Sequence, residues 1–294
     1  CAPCQPFSSY KQRYEEDPQW ALVPRFGEIA AECRPDYVSM ENVPRLLEYK
    51  DGAIFETFKS LLEAEGYGVW YSVVNAADYG VPQSRRRLVL VAAKNGGLAP
   101  PETWTSSAVT VKEAIGHLPP LAAGEISDTD PLHRSSSLSE KNVQRIRASR
   151  PGGSWKDWPD ELVAACHKKS TGRTYPSVYG RMSWDTPSPT ITTQSYGFGN
   201  GRFGHPEQDR AISLREAAIL QSFPEDYKFL PPDRKISMKE VGRWIGNAVP
   251  VKLAESIAKG IKLHKEFSDD GREPSICDEH RSECHQASGN RPLQ

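Results

Sequence analysis

The sequence predicts an α/β fold with an irregular second region set into it. Three observations carry that expectation. Between Trp20 and Ala93, amphipathic helical stretches alternate with short apolar runs. One run, Arg-Leu-Val-Leu-Val-Ala-Ala at 87–93, is apolar without interruption after its first residue, the pattern of a strand covered on both faces. From Asn95 to about Arg210 the rhythm gives way to a chain rich in Pro, Gly, Ser and Thr.

Leu22, Phe26, Ile29, Ala30 and Cys33 share one face of a helix expected over Trp20–Cys33, which tolerates Pro24 only in its first turn. Asp36–Val43 reads as a short buried strand. Ile54, Phe58, Leu61 and Leu62 mark a second helix over Ala53–Glu65, stopped by Gly66. Val69–Val74 and Arg87–Ala93 follow as strands. The irregular region holds isolated short helices such as Ser139–Ser149, ended by Pro151-Gly152-Gly153. Helical patterning returns at Ser213–Gln221 and at Val251–Leu263, where Leu253, Ile257 and Ile261 recur every four residues. Beyond Lys265 the chain is polar and unpatterned, a disordered tail by composition. The expected organisation is an α/β part over 1–97, the irregular region over 98–210, a return to the first part over 211–265, and a tail over 266–294.

The chain has 294 residues, 26% charged and 37% hydrophobic, enough for a sizeable core. No window of 18 consecutive apolar residues suits a membrane span, and the opening stretch lacks the basic flank and apolar run of a secretory signal. The net charge of -1 excludes a uniformly basic polyanion binder. Charge is nevertheless segregated: residues 133–210 carry 12 Lys/Arg against 7 Asp/Glu, and residues 265–294 carry 4 against 7. A basic middle suits a chain that offers one surface to phosphates, and it equally suits a scattered solvated surface. Six cysteines at positions 1, 4, 33, 166, 277 and 284 are sparse and irregular, as reduced thiols of a cytosolic protein are. The spacing of Cys277, His280, Cys284 and His285 matches no common zinc finger, so no metal is expected.

Three short stretches look too specialised for scaffolding. In Pro3-Cys4-Gln5-Pro6-Phe7-Ser8 a cysteine between two nearby prolines sits on a stiff loop, where a thiolate can be held still. Glu41-Asn42-Val43 puts a carboxylate at the C-terminal end of a predicted buried strand, the end that faces the ligand crevice of an α/β sheet. In Gln83-Ser84-Arg85-Arg86-Arg87, strand alternation sets Arg85 and Arg87 on one side, suited to an anion or a polar base edge. The ordinary readings are a structural carboxylate and a charged, aggregation-resistant strand edge.

Taken together and in this order, Pro-Cys-Gln, Glu-Asn-Val and Gln-x-Arg-x-Arg resemble the signature of the DNA (cytosine-5) methyltransferases. The second half agrees, with Pro187-Ser188-Pro189-Thr190-Ile191-Thr192, Arg215-Glu216-Ala217-Ala218 leading to Leu220-Gln221-Ser222-Phe223-Pro224, and Gly246-Asn247-Ala248-Val249-Pro250. The resemblance runs from Cys1 to about Lys265. It implies a partial Rossmann-like S-adenosylmethionine-dependent methyltransferase sheet with a smaller, irregular target-recognition domain over 98–210. It implies methyl transfer from S-adenosylmethionine to C5 of a cytosine flipped out of double-stranded DNA, with Cys4 as the nucleophile at C6. Glu41 then matches the carboxyl group at N3, and Arg85 and Arg87 match the arginines that brace the base oxygen and the catalytic loop. Asn247 and Ala248 match the donor side, and Gln5 and Ser8 match the mobile loop over DNA. Arg145, Arg173 and Arg202 are candidate DNA contacts in the recognition region, and Arg215 matches a structural arginine.

The resembled enzymes carry a Phe-x-Gly-x-Gly loop and further βα units before Pro-Cys-Gln, roughly 70 to 90 residues that this sequence does not include. The expectation is therefore a truncated or split enzyme whose donor pocket is completed by another chain or by a missing segment. Family habit adds a bacterial or phage restriction-modification setting, with a cognate endonuclease and a cytoplasmic, nucleoid-associated location. Two other readings remain: a catalytically silent DNA-binding fragment, and a tRNA cytosine-5 methyltransferase, whose Cys-Phe-Thr segment is absent here.

Overall fold

A 3₁₀ turn over Pro18–Ala21 leads into α1 (Leu22–Cys33), with Pro24 in the first turn, where its missing N–H costs no helical bond. The chain, seen in a computed structural model, is described at Phe7 and at residues 18–94, 96, 98, 103, 107–169, 172 and 177–269. Arg34 ends α1 in the left-handed conformation, its N–H donating to the Ala30 carbonyl at 2.9 Å.

After α1 come β1 (Tyr37–Asn42), α2 (Ala53–Ala64), β2 (Tyr67–Asn75) and β3 (Arg86–Lys94). They form a sheet ordered β1-β3-β2 in which β3 runs antiparallel to both neighbours. The α2 crossover thus returns β2 parallel to β1 with a gap between them, and β3 fills the gap from the opposite direction. Leu88 to Ala93 are all fully buried, because the sheet is covered on both sides. On one side Val38, Met40, Leu88, Leu90 and Ala92 pack with Val23, Phe55, Phe58 and Leu62 of α1 and α2. Phe7 is buried in the same core, its ring edge-on to Tyr49 at 5.1 Å. On the other side Val89 and Val91 meet Leu253, Ile257 and Ile261, the four-residue repeat read from the sequence, which lies on α8 (Val251–Asp269).

The irregular region contributes α3 (Val111–Ile115), α4 (Glu140–Ala148) and α5 (Ala165–Lys168), joined by turns and isolated bridges. α6 (Leu214–Leu220) and α7 (Met238–Asn247) follow. One apolar cluster unites Val111, Ile115, Met182, Ile191 and Phe203 with Ile212, Leu214, Val241 and Ile245. The expected division at 210/211 falls inside this cluster. The sequence pattern did not predict α7, a ten-residue helix with glycines at 242 and 246.

A buried ionic knot fastens the irregular region to α6. Arg210, fully buried, grips Glu216 with two 2.7 Å bonds, and Glu216 also caps α6 by accepting from the Ser213 N–H at 2.7 Å. His205 lies beside them, its Nε2 3.7 Å from Glu216, and its Nδ1 accepts from the N–H groups of Glu207 and Gln208. Burial pushes His205 down from 6.5 to about 4; Glu216 opposes the shift, whereas Arg210, Arg181 and His133 reinforce it. Between those two values the unfolded chain binds a proton that the native chain refuses. The His205 contribution to stability should therefore fall by about 3 kcal/mol as pH drops from 6.5 towards 4, and level off below. Glu216 has a depressed pKa, so its own contribution starts to be lost as pH falls through the ordinary carboxylate value of 4.5, at the lower edge of this window, and the His205 slope is read above it. Urea unfolding of His205→Asn, which keeps an acceptor for the two N–H groups but cannot titrate, should show a flatter pH profile. An unchanged slope would reject His205 as the source.

Candidate active site

The C-terminal ends of β1 and β2 and the entrance to β3 meet at one edge of the sheet. Glu41 stands opposite Val89 and Val74 stands opposite Arg87, so Glu41 and Arg87 are diagonal neighbours on one face. Arg87 Nε lies 2.8 Å from Glu41 Oε1, with the side chains 14% and 12% exposed. That oxygen has no aligned hydrogen bond among the described residues, so the carboxyl group retains accepting capacity. Arg87 Nη1 donates to the Arg86 carbonyl at 2.8 Å, which holds the guanidinium at the strand entrance.

Arg85, two residues earlier, has a different environment. It is buried, its N–H donates to Asn75 Oδ1 at 3.0 Å, and its guanidinium donates to the carbonyls of Ile191 (2.9 Å) and Gly246 (3.3 Å). Gln83 lies alongside, fully buried. Its Oε1 accepts from Ile191 N–H at 2.9 Å, and its Nε2 donates to the Leu220 carbonyl at 3.0 Å and to Gln221 Oε1 at 2.6 Å. Gln221 Nε2 in turn donates to the carbonyls of Ile245 (3.1 Å) and Ala248 (2.7 Å). Two buried amides and one arginine thus tie together four stretches that the sequence shows as separate: the β3 entrance, Pro187–Thr192, the end of α6 and the end of α7. Gly246 is required at this junction, because a Cβ there would lie 2.3 Å from the Thr192 carbonyl carbon and the Thr193 nitrogen. The sequence motifs contained Gln83 and Gln221 without assigning them a role; no local pattern connects residues 138 positions apart.

Asn247 follows Gly246 with its side chain exposed and with no partner among the described residues; Ala248 is half-buried beside it. A free amide next to this junction fits a hydrogen-bonding role toward a methyl donor. Arg145 is engaged internally: its guanidinium donates to the Leu162 carbonyl and to Asn142, and lies over the Trp158 and Tyr179 rings at 5.3 and 5.4 Å. Arg202 is exposed and lines an open cleft of about 490 Å³ that reaches Ser84, next to Arg85. Arg215 makes a forked pair with Asp130 at 2.6 and 3.1 Å, and donates to the Tyr227 carbonyl at 3.2 Å. Burial would raise the Asp130 carboxyl, but the Arg215 fork holds it below the usual range. Cys4, Gln5, Ser8 and Arg173 lie outside the described residues, as do Cys277, His280, Cys284 and His285. Among the described residues no group of three or more His, Cys, Asp or Glu is placed to hold a metal ion, and no helix is long and apolar enough to cross a membrane.

The model of the C-5 cytosine-specific DNA methylases matches residues 1–263. The chain belongs to that family. Members of the C-5 cytosine-specific DNA methylases use S-adenosylmethionine as methyl donor and act on cytosine in DNA. The Type II methylase M.HgiDII of Herpetosiphon aurantiacus is 51% identical over 264 residues, covering 89% of this chain and 74% of that protein. The Type II methyltransferase M1.HphI of Haemophilus parahaemolyticus is 35% identical over 265 residues, covering 88% of this chain and 66% of its own length. This methylase chain therefore spans 66% to 74% of these two curated relatives. In three dimensions it resembles a DNA modification methyltransferase encoded within an Escherichia coli prophage, with a TM-score of 0.63, 23% identity, and coverage of 89% of this chain and 77% of that one. The Entamoeba histolytica methyltransferase EhMeth gives a TM-score of 0.58 at 13% identity, covering 91% and 75%. At these identities the structural likeness speaks for the fold, an α/β methyltransferase sheet.

Proposed function

We propose that this chain carries the catalytic and recognition parts of a sequence-specific DNA cytosine-5 methyltransferase that works through a covalent Cys4 adduct. The observation that carries the reading is the Glu41–Arg87 pair at the strand ends, a largely buried carboxyl group with accepting capacity to spare, held by an arginine at the β3 entrance. Cytosine C5 is a weak nucleophile inside an aromatic ring. Addition of the Cys4 thiolate to C6 breaks the C5–C6 double bond and moves its electron pair toward C5 and N3. Glu41, bonded at N3, stabilises the electron density arriving there, and Arg87 orients Glu41 and the neighbouring base oxygen. S-adenosylmethionine supplies an electrophilic methyl group when bound, and Asn247 and Ala248 are the residues proposed to border it. Once C5 has gained the methyl group, loss of its proton to water or a base restores the double bond and expels the thiolate. A duplex shields C5 and C6, so the target base is proposed to leave the stack.

Arg85 is proposed as a positioning residue that joins the recognition segment to the donor side, and Arg145 as a support for the aromatic cluster. The Type II names of the bacterial relatives carry over as the proposal of a companion restriction endonuclease.

Trapping tests the reading directly. The full-length protein is mixed with S-adenosylmethionine and a duplex library carrying 5-fluorocytosine, whose fluorine cannot depart as the proton does. A denaturation-resistant protein–DNA adduct is expected, and it should vanish in Cys4→Ser. DNA retention without any adduct would reduce the protein to a DNA-binding module.

A further inference from the structure

Within residues 107–210 the described arginines fall into two sets. Arg181 is buried and donates to the carbonyls of Ile146, Ser149, His205 and Gln208 as well as to Asp209. Arg210 is closed on Glu216, and Arg145 sits against its aromatic neighbours. Arg147 pairs with Asp209, Arg150 with Asp157, and Arg134 donates to the Ile236 carbonyl. Arg202 alone among the described arginines of this stretch has no hydrogen bond or ion pair to another described residue, and it lines the cleft that runs to Ser84 at the β3 entrance.

Its stem is nevertheless well placed. A Cβ on Gly180 would come within 2.5 Å of Arg202 Cγ and 3.1 Å of Cδ, so the aliphatic stem lies directly on bare backbone. The flanking backbone is tied down by Gly204 N–H to the Gly180 carbonyl (2.8 Å), Met182 N–H to the Gly204 carbonyl (2.9 Å) and Ile212 N–H to the Phe203 carbonyl (2.8 Å). Phe203, the next residue, is buried in the shared core. A supported stem with a free planar fork in a cleft is the arrangement that reads a base edge, because little order remains to be imposed on binding.

We infer that Arg202 is a specificity-determining residue that donates two hydrogen bonds to O6 and N7 of a guanine in the major groove near the target cytosine. The inference rests on the reading of the chain as a DNA methyltransferase. It predicts at least one obligatory G·C pair in the recognised sequence. A guanidinium fork matches guanine's two adjacent acceptors, whereas adenine presents a donor at the corresponding exocyclic position. Other polar residues of the lining, among them Ser177, Ser183, Thr186 and Asn200, suit sugar–phosphate or water-mediated contacts that position the duplex without reading it.

The test uses the full-length protein and a randomised duplex library, from which the retained consensus is recovered. Single guanines of that consensus are then replaced by 7-deazaguanine, which lacks the N7 acceptor. At one position wild-type binding should weaken by about 5- to 150-fold, the range that a bidentate pair is worth, and the same replacement should leave Arg202→Ala unaffected. Arg202→Lys, which keeps the charge and loses the fork, should behave like Arg202→Ala in this assay; thermal melting confirms that both variants remain folded. If Arg202→Ala instead weakens every duplex equally and lowers the salt slope by about one, Arg202 is a phosphate contact and the guanine assignment falls while the methyltransferase reading stands. If the wild-type protein retains no duplex from the library, both readings fall together.

Discussion

Glu41→Gln should lower the rate of methyl transfer by roughly 100- to 10,000-fold while changing DNA affinity by less than about threefold. The amide keeps the size and the accepting oxygen of the carboxylate. It cannot carry a proton to N3 or present a full negative charge to Arg87, whose Nε lies 2.8 Å away. The proposed step moves electron density onto N3 in the transition state, so the lost interaction is one made mainly after Cys4 begins to add. The deficit should appear in kcat and only weakly in KM for DNA. Covalent trapping by a 5-fluorocytosine duplex should slow in parallel, because addition at C6 is the step that is disabled. Single-turnover rates measured at saturating DNA and S-adenosylmethionine decide the matter. A variant that methylates within threefold of wild type would remove Glu41 from the chemistry and leave it as a structural partner of Arg87. Melting should be run alongside, since Arg87 in the variant is one-seventh exposed and has lost its anion.

The features legible in the sequence were those with a local or ordered signature. The apolar run at 88–93 announced a strand buried on both faces, and Leu253, Ile257 and Ile261 announced the helix that covers one of them. Strand direction was not legible. An apolar run carries no arrow, and only the register of β3 against Glu41 and Val74 shows that it enters antiparallel between two parallel strands. That insertion is what brings the Gln-x-Arg-x-Arg entrance of β3 beside Glu41. The charge census was also ambiguous in a specific way. It counted Arg181 and Arg210 toward a basic surface, but both are buried and hold backbone carbonyls and carboxylates together. A guanidinium can serve DNA or the fold, and composition alone does not distinguish the two uses.

The ordered motifs revealed the family without revealing why the later ones lie so far from the chemistry. Gln83 and Gln221 give the physical reason. Their amides, both fully buried, form one continuous path from the Ile191 N–H to the Ala248 carbonyl. Each buried amide must find partners for both its donors and its acceptor, so this junction permits little drift between the Pro187–Thr192 segment and the end of α7. Arg85 spans the same two elements a second time through the carbonyls of Ile191 and Gly246. The β3 entrance therefore does two jobs two residues apart: Arg87 faces Glu41, and Arg85 with Gln83 holds the Pro187–Thr192 segment and the ends of α6 and α7 in register.

The largest stability effect is expected at Arg210. Changing it to Met should cost about 3–5 kcal/mol, because the fully buried Glu216 would keep its charge without the two 2.7 Å bonds that now compensate it. The double variant Arg210→Met with Glu216→Gln should recover most of that loss. It removes both charges from the interior and retains an oxygen to accept from the Ser213 N–H that caps α6. The pH dependence separates this account from simple loss of packing. In the wild-type protein burial would raise the Glu216 carboxyl, but the Arg210 fork outweighs it and holds the group below its ordinary range. The contribution is thus present at neutral pH and is lost as pH falls through the depressed value. Without Arg210 only His205 and the Ser213 N–H are left to oppose burial, so Glu216 binds its proton more readily in the folded variant than in the folded wild type, and the penalty of Arg210→Met should shrink as the solution is acidified. Urea denaturation of the wild-type, single and double variants at pH 7 and pH 5 measures all three terms. A single-variant cost below about 1 kcal/mol at pH 7, or one that stays the same in the Glu216→Gln background, would show that the knot holds the fold through shape rather than charge.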